Sequence, residues 1–186
     1  MDRLIVGISG ASGVQYGVRA LELLKTLPIE THLIMSKSAE LTVHHELDCS
    51  VDQIRALADE WHPVRNVGAS VASGSFRTMG MLMAPCSIRT LGEITSGVTS
   101  SLLTRAADVV LKERRKLVLM VRETPLHLGH LRNMVSVTEI GAIVAPPVPA
   151  FYAQPESIDA MVTQSVARAL DLFDIELPET HRWTES

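Results

Sequence analysis

Hydroxyl groups and glycines gather in a few short stretches of this sequence, with charged residues close by. Ser9-Gly10-Ala11-Ser12-Gly13 follows the apolar run Leu4-Ile5-Val6 and opens into apolar positions of helical spacing at Val14, Val18, Leu21 and Leu24. That is a strand, a glycine-rich turn and a helix N-terminus, where bare N–H groups and the positive end of a helix dipole bind phosphate. Ser36-Lys37-Ser38 and Ser87-Ile88-Arg89-Thr90 are two more hydroxyl-bearing turns directly after apolar runs, and Arg122-Glu123 follows another. A tight turn without a ligand, with its serines serving only as helix caps, is the plainer reading of any one of them.

The type of phosphate ligand is narrowed by spacing. Gly7, Gly10 and Gly13 lack the close glycine pair of a dinucleotide fingerprint, and strand two ends in Ser36-Lys37 where an acid would hold a ribose. Val14-Gln15 stands where a nucleoside-triphosphate loop carries lysine and a hydroxyl. Neither Ser9 nor Ser12 fits a nucleophile elbow, so serine hydrolysis is disfavoured. A mononucleotide-sized ligand such as FMN, held by hydroxyls and backbone, remains.

The elements that position these turns read as alternating strands and helices. The pattern predicts strands over 3–8, 31–35, 79–84, 116–121 and 140–145. It predicts helices over 13–26, 39–47, 51–60, 88–95, 101–114, from Thr124-Pro125 to about 135, and 155–173. The strands are continuous apolar runs, which argues for a parallel sheet covered on both faces. The expected fold is therefore α/β: a single-domain, doubly wound parallel sheet, a Rossmann- or flavodoxin-like three-layer sandwich over residues 1–186. Ligands in such sheets bind at the carboxyl ends of the strands, where the turns above fall. The polar tail, 174–186, is expected to dock on a neighbouring subunit, with Trp183 as an anchor.

Composition closes off other classes. At 186 residues, with 46% hydrophobic and 20% charged residues, the chain suits one globular domain. A formal charge of −4 implies no basic face for nucleic acid. We read neither a signal peptide nor a run near the ~20 apolar residues of a membrane helix. Two cysteines, Cys49 and Cys86, form no metal spacing and suit a reducing cytoplasm. His44-His45-Glu46 and His127/His130 invite a metal reading. Adjacent histidines on a helix point about 100° apart, however, and no ligand set is evident around His127 and His130.

Taken together, the motifs resemble the UbiX/Pad-type flavin prenyltransferases, also described as aromatic-acid decarboxylases. The carrying residues are Ser9 to Gly13 with Gln15-Tyr16-Gly17, Ser36-Lys37, Ala72-Ser73-Gly74-Ser75, and Pro85-Cys86-Ser87 with Thr90. They continue with Arg105-Ala106-Ala107-Asp108-Val109 to Lys112, Arg122-Glu123 with Pro125, Phe151-Tyr152 with Gln154-Pro155, Arg168, and Arg182-Trp183. The resemblance implies transfer of a dimethylallyl group from dimethylallyl monophosphate to N5 and C6 of reduced FMN, without a metal. The product, prenylated FMN, serves a separate UbiD-type decarboxylase. It implies that Gly10, Ala11, Ser12, Ser36, Ser87, Ile88, Arg89, Thr90 and Arg122 bind FMN. Tyr152 and Arg168 are implied to hold the donor phosphate, with Arg105 and Lys112 also on the donor. Ser12, Glu46, Lys112 and Glu123 are implied at the reacting centre, and a cytoplasmic homododecamer with sites shared between subunits is implied as the assembly.

The implied residues suit the chemistry. A metal-free departure of phosphate needs fixed cations and donors, which Lys112, Arg122, Arg168 and Tyr152 supply. Arginine binds two phosphate oxygens with its fork, and Glu46 or Glu123 suits proton carriage. Plainer readings stand beside these. Arg105, Asp108 and Lys112 have the spacing of a surface ion-pair ladder, Glu46 that of a solvated helix residue, and Tyr152 that of a packing residue beside prolines. Two other functions share the flavin turns: an FMN-dependent decarboxylase of aromatic acids or cysteine, and a non-catalytic flavin carrier. Arg89 replaces the asparagine expected in the cysteine-decarboxylase motif, and a carrier needs no second phosphate site.

Overall fold

Successive residues of the central strands are buried in opposite apolar clusters, so the sheet is covered on both sides. In β1 (Asp2–Ile8), Leu4, Val6 and Ile8 face one apolar cluster, and Ile5 faces the other. The structure is a computed structural model that describes residues 2–178 and 180. Six strands form one parallel sheet: β1, β2 (Ile29–Met35), β3 (Glu60–His62), β4 (Gly80–Cys86), β5 (Lys116–Val121) and β6 (Ile143–Val144). Their order is β3-β2-β1-β4-β5-β6, the doubly wound arrangement expected from the sequence.

Helices α1 (Gln15–Leu24), α2 (Lys37–Glu46) and α3 (Val51–Arg55) follow the first two strands. Helices α4 (Ile88–Thr95), α5 (Leu102–Lys112), α6 (Leu128–Glu139) and α7 (Ile158–Asp171) complete the layers. One core joins α1 and α7 through Ala20, Leu21, Leu24, Val166 and Leu170. The other joins α4 and α5 through Leu91, Ile94, Leu103, Ala106 and Val110. Ser36, Ser50, Ser87, Ser101 and Ser157 each accept a backbone N–H three residues on, so serine does cap these helices.

Five expectations need correction. The helix expected over 51–60 ends at Arg55, and the strand expected over 140–145 is only Ile143–Val144. The pattern predicted no strand at β3, which has only three residues, too short to show a period. Thr124-Pro125 does not start α6; His127 takes the cap, its Nδ1 accepting from Gly129 and His130 N–H. Helix α6 also runs further than predicted, ending at Glu139, before Gly141 at φ +107° turns the chain into β6. Among the described residues no helix is long and apolar enough to cross a membrane. Trp183 and most of the tail lie outside the described residues.

Candidate functional site

The turn after β1 is built to approach other backbone closely. A Cβ on Gly10 would stand 2.3 Å from Cβ of Ser38, so this turn rests directly on the turn after β2. Gly13 takes φ +99°, which favours glycine. Among the described residues, the N–H groups of Gly10, Ala11 and Ser12 have no hydrogen-bond partner. Three consecutive free donors at the carboxyl edge of a parallel sheet fit the polar part of a flavin nucleotide. The Ser12 side chain is exposed beside them.

Ser9 has a different task. It is fully buried, donates its hydroxyl to Pro85 O at 2.9 Å and accepts the Ser87 N–H at 2.7 Å. It thereby ties the end of β1 to the turn after β4. In that turn Ser87 also donates to Thr90 Oγ1 at 3.0 Å, while Arg89 is exposed and paired with Glu93. A cavity of about 240 Å³ brings Ser36 and Ser38 together with Arg89, Glu93 and Ser101. The first, second and fourth strands therefore present their hydroxyl turns along one edge.

Glu46, the last residue of α2, reaches back to the first turn. Its Oε2 accepts from Gly13 N at 2.8 Å and Val14 N at 3.2 Å. The half-buried carboxylate lies at the positive end of α1. It is not the solvated residue that its place in α2 suggested. Its presence also revises the phosphate reading of the turn: the amides of Gly13 and Val14 are taken, and the free donors lie upstream at residues 10–12.

Arg122 anchors its backbone by donating N–H to Cys86 O at 3.1 Å, and its Cδ lies 3.6 Å from the Cβ position of Gly13. Tyr16 packs against the same glycine; burial pushes its phenol up, and the Arg122 charge opposes that. Tyr16 was given no role from the sequence, although it is one of only two tyrosines. Glu123 is exposed and accepts the Thr124 N–H at 3.0 Å.

Tyr152 and Arg168 line one cavity of about 190 Å³ with Met120, Gln164 and Pro146. Met120 lies near the end of β5, so this cavity also opens at the carboxyl edge. Arg168 pairs with Asp171 at 3.0 Å, and its side chain remains 58% exposed, which leaves the guanidinium accessible to a ligand.

Lys112 stands elsewhere. It is the last residue of α5 and pairs with Glu113 against Gly74, just before β5 begins at Lys116. That is the amino edge of the sheet, separated by the length of a six-residue strand, about 20 Å, from the carboxyl edge where Ser12 lies. Arg115 donates to the carbonyls of Gly74 and Phe76 there, so the loop of small residues 72–75 belongs to this edge. Arg105, half-buried on α5, pairs with Asp108 at 2.7 Å, but Lys112 does not join that pair. One chain thus brings the Gly10 turn, Glu46, Arg122 and the Ser36 and Ser87 turns to one edge. It does not bring Lys112 to them.

A parallel sheet with free donors and hydroxyl turns along its carboxyl edge is the site of a flavoprotein, and the flavoprotein family model matches residues 1–170. The chain belongs to that family and, within it, to the UbiX-type flavin prenyltransferases, enzymes of the transferase class. The flavin prenyltransferase UbiX of Neisseria meningitidis serogroup B is 59% identical over 181 residues, 97% of this chain and 96% of that protein. The enzyme of the same name from Escherichia coli K12 is 59% identical over 180 residues, 96% of this chain and 95% of that protein. A crystal structure described as AnUbiX (PadA1) with FMN and dimethylallyl pyrophosphate superposes with a TM-score of 0.98 at 49% identity, over 100% of this chain and 98% of that one. A dodecameric, FMN-dependent UbiX-like decarboxylase from Escherichia coli O157:H7 superposes with a TM-score of 0.96 at 48% identity, over 98% of this chain and 100% of that one. A cysteine decarboxylase, TvaF, shares the fold alone, at 17% identity.

Proposed function

We propose that this chain transfers a dimethylallyl group from dimethylallyl monophosphate to N5 and C6 of reduced FMN. The single observation that carries the reading is the pairing of two phosphate-suited places at one sheet edge. The free donors of Gly10, Ala11 and Ser12, with Ser36 and the turn of Ser87, Ile88, Arg89 and Thr90, suit the flavin nucleotide. Tyr152 and Arg168, in their own cavity, suit the phosphate of a second substrate. When bound, the flavin supplies N5 and C6 as the acceptor atoms. A non-catalytic flavin carrier needs the first place and not the second.

The chain's own groups then divide the work. Arg168 binds two phosphate oxygens with its fork, and Tyr152 donates its hydroxyl to the same group. Arg122, beside Gly13, adds positive charge at the flavin turn. Ser12 lies where flavin and donor meet. Glu46 Oε2 is committed to the amides of Gly13 and Val14 at the start of α1, and its Oε1, without a partner among the described residues, is the oxygen that carries a proton. Glu123 is the alternative carrier. Lys112 and Arg105 act on the site of a neighbouring subunit in a homododecamer, which accounts for the place of Lys112 at the far edge. The tail from residue 174 docks on a neighbour.

The reaction uses no metal, and its product passes to a UbiD-type decarboxylase in the cytoplasm. Anaerobic incubation of the protein with reduced FMN and dimethylallyl monophosphate, followed by mass spectrometry of the flavin, tests the reading. A gain of one C5H8 unit supports it, and an unchanged flavin mass overturns it.

A further inference from the structure

The histidines that sequence spacing singled out are not the ones the fold brings together. His32 on β2 and His62 on β3 are 30 positions apart in the chain, and both are buried, at 1% and 9% exposure. His32 Nδ1 lies 3.0 Å from His62 Nε2. Glu60 Oε2 lies 3.6 Å from that His32 nitrogen and 3.8 Å from that His62 nitrogen. The register pairs His32 with Glu60 across the two strands, and Glu60 and His62 share a face.

We propose that His32, Glu60 and His62 bind one divalent transition-metal ion of the zinc class, which clamps the short edge strand β3 to β2. The nearest point equidistant from the three ligand atoms lies about 2.0 Å from each, the bond length that zinc makes to histidine and carboxylate. Two imidazoles and one carboxylate are a donor set that zinc takes. A fourth position opens on the side of Glu60, whose side chain is 57% exposed, and water fills it.

The surroundings support the same assignment. His32 Nε2 lies 3.0 Å from Glu30 Oε1, and Glu30 in turn pairs with Arg3 at 3.0 Å. A carboxylate on the far nitrogen fixes the tautomer that leaves Nδ1 as a lone pair facing His62, as behind metal-bound histidines. Phe76 closes the inner side, its ring edge-on to His32 with centroids 5.1 Å apart. Without an ion, the two facing nitrogens share one proton between nearly parallel rings, 8° apart in plane. The ion takes that proton's place, and the rings tilt to aim their lone pairs at it. Nothing in the proposed transfer uses this ion, which sits in the body of the sheet edge and not in the turns that follow the strands.

The test is titration of the chelator-treated full-length protein with zinc chloride, read by calorimetry, by metal content after gel filtration and by thermal melting. One ion per subunit and a raised Tm are expected. His62→Ala should remove stoichiometric binding. Glu60→Ala, at an exposed edge position that tolerates change, should weaken it at least about tenfold, and Glu30→Gln about 10- to 100-fold. Cobalt(II) in place of zinc should give the visible absorption of a low-coordinate site in the wild-type protein and not in His62→Ala. Absence of stoichiometric binding, or equal binding by wild-type, Glu60→Ala and His62→Ala proteins, would overturn the proposal and leave the histidine pair as a shared-proton contact.

Discussion

Glu46 Oε2 accepts the backbone N–H of Gly13 at 2.8 Å, so the carboxylate that ends α2 caps the helix that follows β1. One side chain thus satisfies helix donors, fixes the shape of the flavin turn and presents a second oxygen to the site. Glu46→Gln keeps an acceptor and loses the charge, so its stability should fall by no more than about 1 kcal/mol. Glu46→Ala leaves the amides of Gly13 and Val14 without this partner and should cost about 1–2 kcal/mol by denaturant unfolding. If Glu46 carries a proton, Glu46→Gln lowers the rate of flavin modification well beyond its effect on stability. A glutamine variant with full activity would leave the residue a cap alone.

Ser9 joins two strand ends from a fully buried position. Ser9→Ala should destabilise the protein by about 1–3 kcal/mol, because the Ser87 N–H loses its buried acceptor, while Pro85 O keeps only the Ser9 backbone N–H. FMN affinity should fall as well, since the Ser87 turn loses its tie to β1. Unchanged FMN affinity in a destabilised variant would separate the tie from the binding turn.

Arg168 and Tyr152 share a cavity apart from the Gly10 turn. Arg168→Ala should raise the donor KM about 10- to 100-fold, the worth of a charge-assisted contact to phosphate. FMN affinity, measured by fluorescence quenching, should stay within about twofold. Equal losses of both would assign Arg168 to the flavin or to the fold.

Lys112 lies at the sheet edge opposite Glu46, and a shared site therefore permits complementation. Lys112→Ala and Glu46→Gln proteins, each of low activity alone, should regain activity when co-expressed. Random mixing places both wild-type groups at roughly one site in four. Mixtures no more active than their parents would place Lys112 outside the neighbouring site.

Burial pushes the Cys86 thiol up to about 12. The folded state therefore favours the neutral thiol, and its contribution to stability is complete below the unfolded thiol's ordinary range. It is lost progressively as pH rises from about 9 towards 12, at about 1.4 kcal/mol per pH unit. Alkylation of Cys86 by iodoacetamide at pH 8 should follow global unfolding. Rapid labelling of the native protein would contradict that placement.

The sheet and its hydroxyl turns were legible because their signals are local. Apolar runs, glycine spacing and serines before helices each fall within a few residues, and Ser36 and Ser87 cap as their positions suggest. What the sequence hid is long-range or very short. Glu46 meets Gly13 across 33 positions, and His32 meets His62 across 30. Strand β3 has three residues and no period to read. The ladder spacing of Arg105, Asp108 and Lys112 named a helix face correctly for Arg105 and Asp108. It gave no sign that the end of α5 belongs to the opposite edge of the sheet, because which edge a helix end reaches depends on topology and not on spacing.

Under anaerobic conditions, reduced FMN incubated with this protein and dimethylallyl monophosphate should gain one C5H8 unit by mass spectrometry, and the gain should vanish without the donor. A flavin recovered at its original mass, from protein shown to bind FMN, would contradict prenyl transfer and leave a flavin-binding protein of another activity.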